Sequence, residues 1–153
     1  MEKKIIGVIS DTHGLLRPEA IKYLKDVDLI IHAGDVGSEK VLNDLKQIAP
    51  VYAVRGNCDQ EEWAKKLPRT EIVEVASNLI YLIHDIQQIN IDPKTAGLSI
   101  VIYGHSHRPA IDKKEGIYYL NPGSIGPKRF NLPISLAKII IEDKKINIEI
   151  IEL

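Results

Sequence analysis

The chain alternates between short apolar runs and stretches whose apolar residues recur every three or four positions. Lys4 to Ser10 is rich in Ile and Val and is closed by Asp-Thr-His-Gly, the pattern of a strand buried on both faces. Arg17 to Lys25 puts Ala20, Ile21 and Leu24 at helical spacing behind Pro18, a residue favoured in the first turn of a helix. Asp28 to His32 reads as a second apolar strand, ending in Ala-Gly-Asp. Ser38 to Ile48 opens on a capping residue and carries Val41, Leu42, Leu45 and Ile48 on one face, until Pro50 stops it. Val51 to Arg55 is a third strand, followed by Gly-Asn-Cys-Asp, and Glu61 to Lys66 is a short helix. This β-α-β-α-β order predicts parallel strands.

The second half has a different grammar. Thr70 to Ala76 and Asn78 to His84 read as a hairpin, Ser99 to Tyr103 and Gly116 to Leu120 as further strands. Ser135 to Ile141 and Lys145 to Leu153 flank the charged turn Glu142-Asp143-Lys144 and predict a closing antiparallel hairpin. The expectation is an α/β fold in which two mixed sheets pack face to face with helices outside, in one domain over residues 1–153.

Composition narrows the function classes. Lys+Arg number 20 and Asp+Glu 21, for a net charge of −1, which excludes a general basic coat for nucleic acid or an anionic membrane but not a local phosphate site. The apolar run after Met1-Glu2-Lys3-Lys4 is too short for a signal segment or a membrane span. The single cysteine, Cys58, excludes an internal disulfide and a cysteine-based zinc site. Both features point to a cytoplasmic protein.

The candidate chemistry gathers where strand runs stop. The first strand ends in Asp11-Thr12-His13, the second in Gly34-Asp35, the third in Gly56-Asn57, and a later one in Gly104-His105-Ser106-His107. In open α/β sheets, ligands bind beyond the carboxyl ends of parallel strands. Asp11 with His13, and His105 with His107, are i, i+2 pairs whose side chains would share one side of an extended chain. The glycines before Asp35, Asn57 and His105 suit sharp turns or close approach to an ion. Imidazole and carboxylate together suit borderline divalent metals, and this set exceeds what one tetrahedral ion needs. Two dications beside two aspartates would leave a net charge of about +2, which attracts phosphate esters.

The ordered series Asp11-x-His13, Gly34-Asp35, Gly56-Asn57, His84, Gly104-His105-x-His107, with Asn121-Pro122-Gly123-Ser124 after it, resembles the calcineurin-like metallophosphoesterase family. The resemblance is to its small bacterial and archaeal phosphodiesterase branch. It implies the metallophosphoesterase ββ sandwich and a metal-dependent phosphodiesterase. It places Asp11, His13 and His107 on one ion and Asn57, His84 and His105 on a second, with Asp35 bridging. The implied cofactors are two divalent ions, manganese first, with nickel, iron or zinc as alternatives. The implied reaction is in-line attack by a bridging hydroxide, whose water pKa falls from 15.7 toward about 7 on coordination. The implied partner is a small phosphodiester, with no stable nucleic-acid complex, no membrane, and self-association left open.

Two positions depart from the family pattern. Many members carry a histidine after the Gly-Asn motif, where this chain has Cys58 and then Asp59; a thiol is a poor acid for an alcohol leaving group, so diesters fit better than monoesters. His84 is followed by Asp85 where the family has glycine. The resemblance also makes Asn57, Cys58, Asp59, Asn121, Gly123 and Ser124 candidate substrate contacts. Plainer readings stand beside these: Cys58 as a small buried residue, Asp59 as a turn residue, His32 as a satisfied core histidine, and Trp63 and Phe130 as packing residues. Lys113-Lys114 reads as a solvated turn tip, and Lys128 and Arg129 as a solvated loop or a phosphate contact. The competing class is a protein-contact scaffold like the retromer subunit of vesicle sorting, which shares the family fold. The chain keeps all seven metal-type positions, which a scaffold does not need. A repair nuclease is disfavoured by the lack of a basic stripe.

Overall fold

The computed structural model describes residues 3–153; Met1 and Glu2, part of the N-terminal reading above, lie outside them. The strands are β1 (Lys3–Ile9), β2 (Leu29–His32), β3 (Val51–Ala53), β4 (Thr70–Val75), β5 (Asn78–Ile83), β6 (Leu98–Ile102), β7 (Ala110–Lys114), β8 (Ile117–Asn121), β9 (Ser135–Glu142) and β10 (Lys145–Glu152). The helices are α1 (Pro18–Leu24) and α2 (Glu39–Lys46), joined by 3-10 turns at Glu62–Lys66 and Ile86–Gln88. One sheet has the order β10-β9-β1-β2-β3 and the other β4-β5-β6-β8-β7. β1, β2 and β3 are parallel, as are β5, β6 and β8. The two-sheet sandwich expected from the sequence is what forms.

Alternation along the strands explains the layers. Ile6 and Val8 of β1 face a core shared with Val73, Ile80, Leu82, Ile100, Ile102 and Leu120 of the second sheet. Ile9 and Ile30 face the other way, onto Ala20 and Leu24 of α1 and Val41, Leu42 and Leu45 of α2. Each Ile or Leu fully buried this way contributes about 1.5–3 kcal/mol. The outer face of the second sheet is covered without a helix: Tyr81, Ile83 and Val101 pack beneath Ile86, Ile89 and Ile91 of the β5–β6 connection.

Two expectations need correction. Lys113 and Lys114 are not a turn tip but the end of β7, an edge strand paired antiparallel with β8. Their ammonium groups sit over the rings of Tyr118 and Tyr119, 4.9 and 5.7 Å from the ring centroids. The short helix expected at Glu61 to Lys66 forms as a 3-10 helix over Glu62–Lys66. Phe130 is no packing residue: it is 91% exposed.

Candidate metal centre

The strand ends of both sheets meet at one edge of the sandwich. β1, β2 and β3 deliver Asp11 and His13, Asp35, and Asn57; β5 and β6 deliver His84, and His105 and His107. Backbone bonds continue past the strands and fix the loops: Asp11 N–H donates to Gly34 O at 3.0 Å, His13 N–H to Asp35 O at 3.0 Å, and Gly104 N–H to His84 O at 2.9 Å.

The i, i+2 pairs converge, but not on extended chain. Asp11, His13, Asp35, His105 and His107 all have left-handed backbone, with φ of 55°, 48°, 57°, 72° and 62°. Each such non-glycine residue costs about 1–2 kcal/mol, and strain of this kind concentrates at functional sites. The glycines supply close approach. A Cβ on Gly56 would fall on Asp35 Oδ1 and its backbone nitrogen, and one on Gly104 would fall on Ser10 Oγ.

All seven expected side chains come together. The ligand atoms of Asp11, His13 and His107 lie within 4.8 Å of one another, as do those of Asp35, His84 and His105. His84 Nε2 is 3.2 Å from Asp35 Oδ2 and 3.9 Å from Asp11 Oδ1, and His13 Nε2 is 3.7 Å from Asp35 Oδ2. Asn57 Oδ1 lies 3.0 Å from His84 Nε2 and 3.2 Å from His105 Nδ1. The change at Asp85 does not disturb His84, which is buried with Nδ1 donating to Ala33 O at 2.7 Å. Asp85 instead accepts from Gln87 N–H and caps the 3-10 turn that follows.

The donor set fits a divalent cation. Asp11 Oδ1, His13 Nε2 and His107 Nδ1 are buried with no hydrogen-bond partner, whereas buried polar atoms are normally paired. Burial pushes the Asp11 carboxyl up to about 6 despite the Ser10 hydroxyl bonded to it at 2.7 Å. Asp35 is also pushed up by burial, but His84 and the Cys58 N–H outweigh this and hold its carboxyl below the ordinary range. Burial, helped by the nearby Arg129 charge, lowers His107 to about 4. For His84 burial is outweighed by Asp35 and Asp11, which raise it. Near neutral pH both carboxylates are therefore ionised and His107 is neutral, the states in which such groups can ligate a metal.

The surrounding residues position this set. His32, fully buried, is lowered to about 3 by burial. Its Nδ1 accepts from Gly34 N–H at 3.1 Å, so Nε2 donates to Thr12 Oγ1 at 2.9 Å, and Thr12 donates to Val36 O at 2.6 Å. It is the satisfied core histidine the sequence suggested, joining the Asp11 and Asp35 loops. Asp59 accepts three backbone N–H bonds at 3.0 Å, from Val36, Gly37 and Gly56, and its turn reading holds. Asn121 donates to Gly104 O and Ser106 Oγ and accepts from Gly123 N–H, while Ser124 donates to Asp11 O. These bonds brace the loops around the site. Cys58, by contrast, is exposed rather than buried. Its sulfur shares a 4.8 Å cluster with His13 and Asp35, and partial desolvation and the Asp35 charge raise its pKa, which keeps it a thiol. Sequence reasoning passed over Ser10, whose hydroxyl meets Asp11; a serine before the ligand was its one signal.

Comparison with known proteins gives a consistent result. The model of the calcineurin-like phosphoesterase superfamily domain matches residues 5–144. A Methanothermobacter thermautotrophicus protein named "Probable metallophosphoesterase" is 38% identical over 159 aligned positions, covering 96% of this chain and 91% of that one. The solved structure of an archaeal phosphodiesterase superposes with a TM-score of 0.81 at 26% identity, covering 97% of this chain and 99% of the other. The vacuolar protein sorting 29 structure from Cryptosporidium parvum shares the fold at a TM-score of 0.78 and 20% identity, covering 99% and 98% of the two chains.

Proposed function

The chain belongs to the calcineurin-like phosphoesterase superfamily, and we propose that it hydrolyses phosphodiesters with two divalent ions held by Asp11, His13, Asp35, Asn57, His84, His105 and His107. The observation that carries this reading is the cluster of buried, unpartnered donor atoms from both sheets around two ionised aspartates. Asp11, His13 and His107 would hold one ion; Asn57, His84 and His105 the other; Asp35, between the two sets, both. When bound, a pair of such ions supplies an activated water and positive charge against the transition-state oxygens.

The protein's own residues set the geometry. Ala33 O fixes the tautomer of His84 and leaves its Nε2 facing Asp35 and Asn57, the device by which an outer partner aims a metal-ligating imidazole. The Cys58 N–H, at 2.8 Å, holds Asp35 Oδ1. The exposed Cys58 thiol, in place of a histidine, gives the site no strong acid for an alkoxide, which favours diesters and good leaving groups over alkyl monoesters. Manganese is the expected ion, and a scaffold reading leaves the retention of all seven donors without a purpose.

The test is metal content and turnover of a chromogenic diester and its monoester, with manganese, nickel, iron or zinc, in the wild type and in Asp35→Ala. The expected result is metal-dependent hydrolysis that prefers the diester and is lost with the metal in Asp35→Ala. Full metal-dependent activity in Asp35→Ala would overturn the ligand assignment. Inactivity of the wild type with every ion would favour the scaffold.

A further inference from the structure

A cleft of about 310 Å³ opens beside the candidate metal centre, with which it shares Asn57, His84 and His105. Arg55 and Arg69 both line it. They are brought together by the backbone bond from Arg55 N–H to Pro68 O at 2.8 Å. Arg55 Nε is buried without a hydrogen-bond partner, and among the described residues no ion pair engages either guanidinium. The cleft's acidic group, Asp85, has one carboxylate oxygen taken by the Gln87 N–H. Gln88 and Asn90 add neutral amides.

Two uncompensated guanidinium groups next to a site for dications repel it and each other, and a partly buried arginine without an acceptor is costly. A substrate that brings a second anion removes both costs, and the planar fork of arginine matches phosphate or carboxylate oxygens two at a time. We infer that this cleft is a specificity subsite for a second anionic group, phosphate or carboxylate, carried by the substrate away from the scissile phosphate. The inference rests on the phosphodiesterase reading and narrows its substrate class to diesters with two anionic groups.

The first measurement is the ratio of kcat/KM for a nitrophenyl diester bearing a second phosphate or carboxylate to that for a singly charged nitrophenyl diester. The manganese-loaded wild type is expected to prefer the doubly charged ester at least about tenfold. Arg55→Gln and Arg69→Gln are expected to bring the ratio toward one, mainly through KM, and Arg69→Lys to keep part of the preference. Because Arg69 is exposed, its variants test the subsite even where Arg55→Gln misfolds. A wild-type ratio near one, or a ratio unmoved in Arg69→Gln, overturns the subsite.

The second measurement is calorimetric binding of α,ω-alkane-bisphosphonates of graded chain length against a monophosphonate. At least one length is expected to bind about tenfold tighter than the monophosphonate, with the advantage lost in Arg69→Gln and its carboxylate analogue separating the two anion types. No advantage at any length, or one that persists in both glutamine variants, overturns the subsite. Should the wild type hydrolyse neither ester, the phosphodiesterase reading fails and the bisphosphonate titration still decides whether the arginines bind an anion.

Discussion

Asp11 has no exposed surface, and its Oδ1 has no hydrogen-bond partner. Burial raises its pKa from 3.8 to about 6. Between those values the folded chain holds a proton that the unfolded chain has released, so stability falls as pH rises through the window. Above it, the metal-free protein carries the whole cost, on the order of a few kcal/mol. Asp11→Asn keeps an oxygen for the Ser10 hydroxyl and removes the charge. The metal-free variant is expected to melt higher than the metal-free wild type above pH 6, with the gap closing toward pH 4, and to bind manganese poorly. Thermal scans across pH after chelation check this; a gap that does not depend on pH would refute it. Asp59 is a contrasting buried carboxylate in which both oxygens accept backbone N–H groups, from Val36, Gly37 and Gly56. Asp59→Ala strands those N–H groups and is expected to cost on the order of 3 kcal/mol in denaturant unfolding, whereas Asp59→Asn, with its carbonyl in place of Oδ2, loses only the Gly37 bond and costs about 1 kcal/mol.

At the scale of elements, the site is an edge where parallel strands of two sheets end together, and the glycines there decide how closely the loops nest. Gly56 has no room for a side chain: a Cβ would displace Asp35. Gly56→Ala is expected to retain the far-ultraviolet circular dichroism of the wild type while losing at least about tenfold in manganese affinity, since outer contacts orient the ligands; unchanged affinity by calorimetry would show that the Asp35 loop yields at no cost. Buried strands such as Lys3–Ile9 and Leu98–Ile102 were legible in the sequence because each is an apolar run. β7 was not, because Ala-Ile-Asp-Lys-Lys lies on an exposed edge and depends on pairing with β8 instead of burial. His84 came only with the ordered series that resembles the family, but the other six donors could be named from the residues that close strand runs. The left-handed backbone that aims Asp11, His13, His105 and His107 could not, since residue type favours αL only weakly outside glycine and pairing fixes it only in the folded chain. The exposure of Cys58 was hidden for the same reason: its place depends on the loop around Asp35, which is remote in sequence.

For the molecule as a whole, the donors are divided between the sheets: Asp11, His13, Asp35 and Asn57 follow strands of the first, and His84, His105 and His107 follow strands of the second. The apolar core between the sheets holds them face to face, but at this edge the buried Asp11 carboxylate, with an unpaired oxygen, opposes the docking that the core favours. Cations seated there would both cancel that charge and tie the sheets together. If they bind the folded state alone, at a hundred times the dissociation constant they would stabilise it by about 2.7 kcal/mol. For a chain of 153 residues that corresponds to a rise of about 5–10 °C in Tm. Manganese added to chelator-stripped protein is therefore expected to raise Tm by that amount in the wild type. Asp35→Ala, which removes the donor shared by both ions, should abolish the shift, whereas His105→Ala and His107→Ala, which each remove a second-sheet donor from one ion, should each abolish part of it. A full shift that survives in both His105→Ala and His107→Ala but not in Asp35→Ala would mean that the first sheet alone holds the metal, and that the two halves of the sandwich meet at this edge without sharing an ion.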